Sequence, residues 1–191
     1  MLITKTNPAG IDWYVQQIQT KLHDTLIRPD HLNITDTTQY RAYGRCYRNK
    51  KSDGYVAENY EGGDEYSDVY WDDTLTMITF FGMGRTDRNG VSYESQMHLV
   101  VFADLSKLAI KDRQGNVIAH RADEELREMF MKVIGSNSFG FQYVSTELWL
   151  ENVLREYPGS IRDERLKFVD MHSRHCFRFN FLLSYNPNKI C

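Results

Sequence analysis

Apolar residues recur along the chain with two different periods. Between residues 11 and 27, Ile11, Tyr14, Val15, Ile18, Leu22 and Leu26 recur at helical spacing, with Gln and Lys opposite. Pro8 and Pro29 bracket the segment, which predicts one amphipathic helix. Residues 30–39 are polar and read as a loop. From 40 to 105 the period becomes two. Residues 40–49 form a candidate strand, and Lys-Lys-Ser-Asp-Gly after them is turn chemistry. Residues 55–60 and 65–71 read as two strands around Gly62-Gly63-Asp64, so the segment 55–72 is expected to protrude as a hairpin. Residues 75–81 are β-branched and aromatic and predict a further strand, followed by a loop over 82–90 with Asn89-Gly90 as its turn signal. In the strand over 97–105, Met97, Leu99 and Val101 point one way and Val100 and Phe102 the other. Both faces are therefore expected to be covered.

Helical spacing returns over 121–134, where Leu126, Met129, Phe130, Val133 and Ile134 make the stripe and Gly135 ends it. Asp123, Glu124 and Glu125 occupy its first turn, where the helix dipole favours carboxylates. A short segment, 141–144, leads into a second predicted helix over 146–157, stopped by Pro158-Gly159. A strand over 175–185 closes the chain. Strands grouped together with helices outside them predict an α+β fold. The expected architecture is a single domain over 1–191. Its mainly antiparallel sheet of about five to six strands is packed by the N-terminal helix and two helices of the C-terminal half, with the hairpin protruding.

Composition narrows the class. The chain has 191 residues, 41% hydrophobic and 26% charged, with a net charge of −3. That suits a globular domain with a core of its own and shows no basic excess of the kind that advertises nucleic-acid binding. The N-terminal residues do not read as a secretory signal, and no run of about 18 apolar residues predicts a membrane span. Cys46, Cys176 and Cys191 are odd in number and far apart, which fits neither a disulfide framework nor a zinc knuckle and suits a reducing cytoplasm.

Candidate chemistry is sparse. Gly82-Met83-Gly84 lacks the third glycine and the following helix of a dinucleotide fingerprint, so it reads as an inter-strand loop. Asp72-Asp73 and Glu124-Glu125 have no spacing that converges them on two metals. Asp170, His172, His175 and Cys176 cluster near the end and offer metal-ligand types. Strand alternation, however, puts His175 with Phe177, Phe179, Phe181, Leu183 and Tyr185, and Cys176 on the opposite face. His98 and His120 add no recognisable ligand spacing. The strand-entry reading is favoured, and no cofactor or metal is expected.

Charge is more informative between 41 and 73. Arg41, Arg45, Arg48, Lys50 and Lys51 come first without an acid. Asp53, Glu58, Glu61, Asp64, Glu65, Asp68, Asp72 and Asp73 follow without a base, and seven tyrosines fall between 40 and 70. Opposite charges paired across neighbouring strands are the plain explanation. A docking arm for another subunit is the sharper one, with Arg41, Arg45, Arg48, Tyr55, Glu58, Tyr60, Tyr66, Asp68, Tyr70 and Trp71 as candidate interface residues. Sugar stacking on Tyr55, Tyr60, Tyr66, Tyr70 and Trp71 is the third.

The N-terminal helix, the tyrosine-rich hairpin followed by residues 70–84, the segments 120–130 and 154–159, and the closing strand 175–185 together resemble small structural proteins of phage and prophage morphogenesis clusters. The element order is similar to that of tail terminator (tail completion) proteins of long-tailed bacteriophages. That resemblance implies a virion protein assembled in the host bacterial cytoplasm, without catalytic residues. It implies a hexameric ring that caps the tail tube protein and joins it to the neck or head-completion protein, with DNA only as cargo in the channel. The chain is longer than the leanest terminators, and the hairpin would be an elaboration. The rival expectations are a neck or head-completion protein of the same assembly, a metal-dependent hydrolase using His172, His175 and Asp170, and a carbohydrate-binding module.

Overall fold

The computed structural model describes residues 1–26, 39–52, 54–62, 65–71, 74–108, 114, 116, 122–136, 140–147, 156–160 and 174–186. In chain order these form β1 (Leu2–Ile3), α1 (Ile11–Leu26), β2 (Tyr40–Lys51), β3 (Gly54–Gly62), β4 (Glu65–Val69), β5 (Met77–Asn89), β6 (Ser92–Asp104), α2 (Ala122–Gly135), β7 (Phe141–Glu147) and β8 (Arg174–Tyr185). The class is α+β. The strands make one eight-stranded sheet in the order β4-β3-β2-β5-β6-β8-β7, with β1 beside β2.

The sheet is mainly antiparallel, as expected, with five antiparallel and two parallel pairings among the described residues, but it has eight strands rather than the expected five to six. β1 and β5 both pair with β2 in parallel. A parallel pair needs a crossover connection, and here the β3–β4 hairpin and the segment after it supply one. Thr76 N donates to Gln39 O at 2.8 Å, which aligns the starts of β5 and β2.

Two further expectations change. Residues 82–90, read as a loop, continue β5 as far as Asn89, and the turn is only Gly90-Val91, with Gly90 at φ 63°. This end of β5 is exposed on both faces, so its residues are polar without alternation and carry no period-two signal. Thr146 and Glu147 end strand β7 rather than start a helix; most of the predicted helix over 146–157 lies outside the described residues. The predicted loop over 30–39 and the acids Asp64, Asp72 and Asp73 also lie there, apart from Gln39.

Strand alternation divides the buried side chains into two cores. Helices α1 and α2 cover one face, where Ile18, Leu22, Leu126 and Phe130 meet Met77, Phe81, Leu99, Val101 and the row Phe177, Phe179, Phe181 and Leu183 of β8. Tyr43, Cys46, Ile78, Phe80, Val100 and Cys176 point to the other face. They pack there with Ala57, Val69, Trp71, Leu75 and Tyr157. The β6 and β8 alternations therefore hold as the sequence predicts them.

At the root of the hairpin β2 changes partner. Its first half pairs with β5, and from Cys46 onward it pairs with β3. A bulge between Ala42 and Arg45 lies at this junction. The extra residue shifts the side-chain parity, so that Ala42 faces the helix-side core and Arg45 also reaches α1. The outcome is a three-stranded arm, β2–β3–β4, continuous with the sheet but beyond the cover of α2.

Candidate functional site

The arm gathers the residues singled out by charge. Its first layer is internal pairing. Lys51 Nζ lies 2.5 Å from Asp68 Oδ1 and 3.6 Å from Glu58 Oε1. Asn49 donates to Glu58 Oε1 at 3.0 Å, and the Tyr70 hydroxyl donates to Asp68 Oδ2 at 2.6 Å. The basic β2 and the acidic β3 and β4 are thus partners within one chain, the arrangement expected of oppositely charged neighbouring strands.

Several candidates are held by partners within the same chain. Arg45 Nε and Nη2 grip Asp12 of α1 at 2.5 and 3.1 Å, and its guanidinium lies 4.8 Å from the Tyr47 ring. Arg48 donates to Glu156 O at 3.0 Å and lies 3.8 Å over the ring of Tyr55. Arg41 hydrogen-bonds Tyr43, whose hydroxyl is held above its ordinary pKa mainly by burial. Trp71 is buried against Phe102, and its backbone N–H bonds Ser160 O. Trp71 therefore offers no open face to a sugar.

What the arm presents outward is tyrosine. Tyr60 and Tyr66 are directly opposite across β3 and β4, with ring centroids 4.8 Å apart. Lys5 Nζ stands 5.2 Å over Tyr60 and pairs with Asp12, so these rings lie on the α1 side of the arm. Tyr66 is 57% exposed and Tyr47 is 39% exposed. Such rings give contact area at low conformational cost.

The second feature has no sequence precedent. On the face away from the helices, a groove of about 380 Å³ runs over β5, β6, β8 and β7. Gly84 lies along it, Gln96, Arg178, Asn180 and Leu182 line it, and Val144 stands at the edge strand. His98 also lines it, its ring lying directly over Gly82, where an added Cβ would sit 2.1 Å from Nε2. His98 Nε2 is 3.4 Å from the Tyr157 hydroxyl, and Arg178 Nη1 pairs with Glu156. Asn180 donates to Ser145 at 3.0 Å. The Gly-Met-Gly stretch thus has a packing explanation: its glycines lie under the side chains of His98 and Gln96.

Gly82→Ala is expected to swing His98 off Tyr157 and to cost about 1–3 kcal/mol, as overpacking does. Gly84→Ala, whose nearest neighbour is at 3.4 Å, is expected to be tolerated. A glycine-to-alanine change otherwise tends to stabilise a strand through the unfolded state, so the sign itself is diagnostic. Urea denaturation of the two variants side by side measures it; equal stabilities would refute the His98 packing.

Metal-ligand types do not assemble among the described residues: no group of three His, Cys, Asp or Glu side chains is placed to hold an ion. Asp170 and His172 lie outside those residues, and of position 175 only the backbone, opposite Ala103, is described. Cys176 and Cys46 are buried thiols whose pKa values burial pushes up, so both stay protonated and poorly suited to ligation. Among the described residues no helix is long and apolar enough to cross a membrane.

Comparison of the chain with protein-family models and with curated proteins returns no match.

Proposed function

We propose that this chain is a virion structural protein of the phage head–tail interface, a tail terminator whose homohexameric ring caps the tail tube and joins it to the neck. The observation that carries this reading is the arm: three strands extend the sheet past its helical cover and present Tyr47 and Tyr66 outward beside an acidic edge. An exposed aromatic arm on a packed domain suits docking to a protein surface. A head-to-tail contact between unlike patches closes into a ring when its rotation permits. In this reading the partners are further copies of the chain, the tail tube protein and a head-completion protein, and DNA passes through the channel as cargo.

Light scattering on the purified chain, followed by electron microscopy with tail tubes, tests the proposal. A ring of about six copies that seats on tube ends is the expected result. A strict monomer that never binds tubes overturns it. A ring found between head and neck instead assigns the chain to the neck or head-completion role.

A further inference from the structure

We propose that Asn89 is a site of spontaneous covalent modification, closing onto the Gly90 backbone nitrogen as a succinimide and opening to isoaspartate or aspartate. The site does not depend on the ring reading above.

The sequence supplies the reactants. Asn89-Gly90 is the one Asn-Gly pair in the chain. Ring closure requires the backbone nitrogen of the following residue to reach the side-chain amide carbon, and glycine has no Cβ in the way. The turn ties that glycine to its place. Gly90-Val91 is the two-residue loop between β5 and β6, and Gly90 sits first in it at φ 63°, a position that favours glycine. The residue that shapes the turn thus also leaves its neighbour open to attack.

The fold supplies the access. Pairing of β5 with β2 ends at Phe81, opposite Arg45, so the rest of β5 is held by β6 alone. Every β5 residue from Met83 to Asn89 is exposed, and so are Gly90 and Val91. Among the described residues the Asn89 side chain has no hydrogen-bond partner. The extended backbone keeps the Gly90 nitrogen away from the Asn89 amide carbon, so attack requires Asn89 to rotate. Asn89 and Ser92 are the last pair of the ladder, and rotation breaks that pair alone. The side-chain tie at the turn, Arg88 Nε to Gly90 O at 3.1 Å, is exposed. Openings at such exposed ends need little free energy beside global unfolding.

The steps balance with water as the co-reactant. A solvent base takes the Gly90 amide proton. The nitrogen attacks the Asn89 Cγ, a C–N bond closes the five-membered ring, and ammonia departs. Water then adds to one ring carbonyl. Addition at Cγ breaks the new bond and gives aspartate. Addition at the main-chain carbonyl breaks the original peptide bond and gives isoaspartate. Either product adds a carboxylate beside the Arg85–Asp87 pair. Isoaspartate also lengthens the backbone by one atom and spoils the register of the last ladder pair.

Peptide mapping by mass spectrometry tests this on the full-length chain warmed at neutral pH, with a synthetic peptide of residues 84–95 as the unhindered reference. Asn89 is expected to gain the mass of water minus ammonia before any other asparagine, while Asn59, 2% exposed, stays intact. Its rate is expected within about 100-fold of the peptide rate, the slowing that a local opening imposes. The rate should rise with pH, because the attacking nitrogen must lose its proton. An acidic form should accumulate on anion exchange in wild type and not in Asn89→Gln. Slower conversion than that, or another asparagine reacting first, overturns the site. A rate independent of pH overturns the succinimide route, and equal accumulation of the acidic form in Asn89→Gln overturns the assignment to Asn89.

Discussion

Phe179→Ala is expected to destabilise the protein by about 3–5 kcal/mol, the range for removing a fully buried aromatic ring. Phe179 is 0% exposed and sits midway along β8. Its ring lies 5.7 Å from Phe130 of α2, nearly parallel to it, and 5.3 Å from Phe177, edge-on. Strand β8 lies between β6 and β7, and the phenylalanine row is where α2 meets the sheet. The lost ring leaves a cavity between rigid neighbours that cannot collapse without moving α2. In a domain of this size the penalty corresponds to a fall in Tm of about 10 °C. Thermal denaturation followed by circular dichroism measures it. A loss below about 1 kcal/mol would mean that α2 re-packs onto the sheet and that the core is not close-packed there. Leu182, three residues on, points to the opposite face of the sheet and lines the groove instead. Its replacement by alanine therefore lacks this cavity term.

The contrast between Phe179 and Leu182 was readable in the sequence, because alternation in a strand covered on both faces needs only parity. So were α1, α2, the two-core division and the antiparallel pairing of β3 with β4. What escaped depends on pairing at long range. The polar stretch Arg85–Asn89 is held as strand by β6 opposite it, and nothing local announces that. Gln19 reads as part of the polar face of α1. It is 1% exposed, and its Nε2 donates to Ile3 O and Ala42 O where two strand ends meet the helix. The candidate interface residues divide for the same reason. Composition marks Arg45 and Trp71 as charged and aromatic, but only the β2 bulge and the 158–160 turn decide that both are turned inward. The groove was invisible because its residues come from four strands and its floor is made by missing side chains.

Asp12→Asn is expected to cost about 3 kcal/mol at pH 7, the loss typical when one member of a largely buried charge cluster is neutralised. Lys5 Nζ lies 2.6 Å from Asp12 Oδ2, and Arg45 holds both carboxylate oxygens. The three side chains are only 10–15% exposed. With asparagine in place, two cations face each other without a counter-charge, and the tie between α1 and the arm's root is lost. The pH dependence follows from the same contacts. Burial pushes the Asp12 carboxyl up, but the hydrogen bonds and charges of Arg45 and Lys5 outweigh it and hold the pKa below its ordinary value. A carboxyl depressed in the folded state contributes stability that is fully present above the unfolded value of about 4. That contribution is lost as pH falls through the lower folded value. Wild type and Asp12→Asn should therefore differ most near neutrality and converge in acid. Urea midpoints at several pH values trace the two curves. Parallel curves would mean that the carboxylate draws nothing from its partners. Convergence would show that the stability supplied by the Asp12 carboxylate comes from its charge contacts with Arg45 and Lys5.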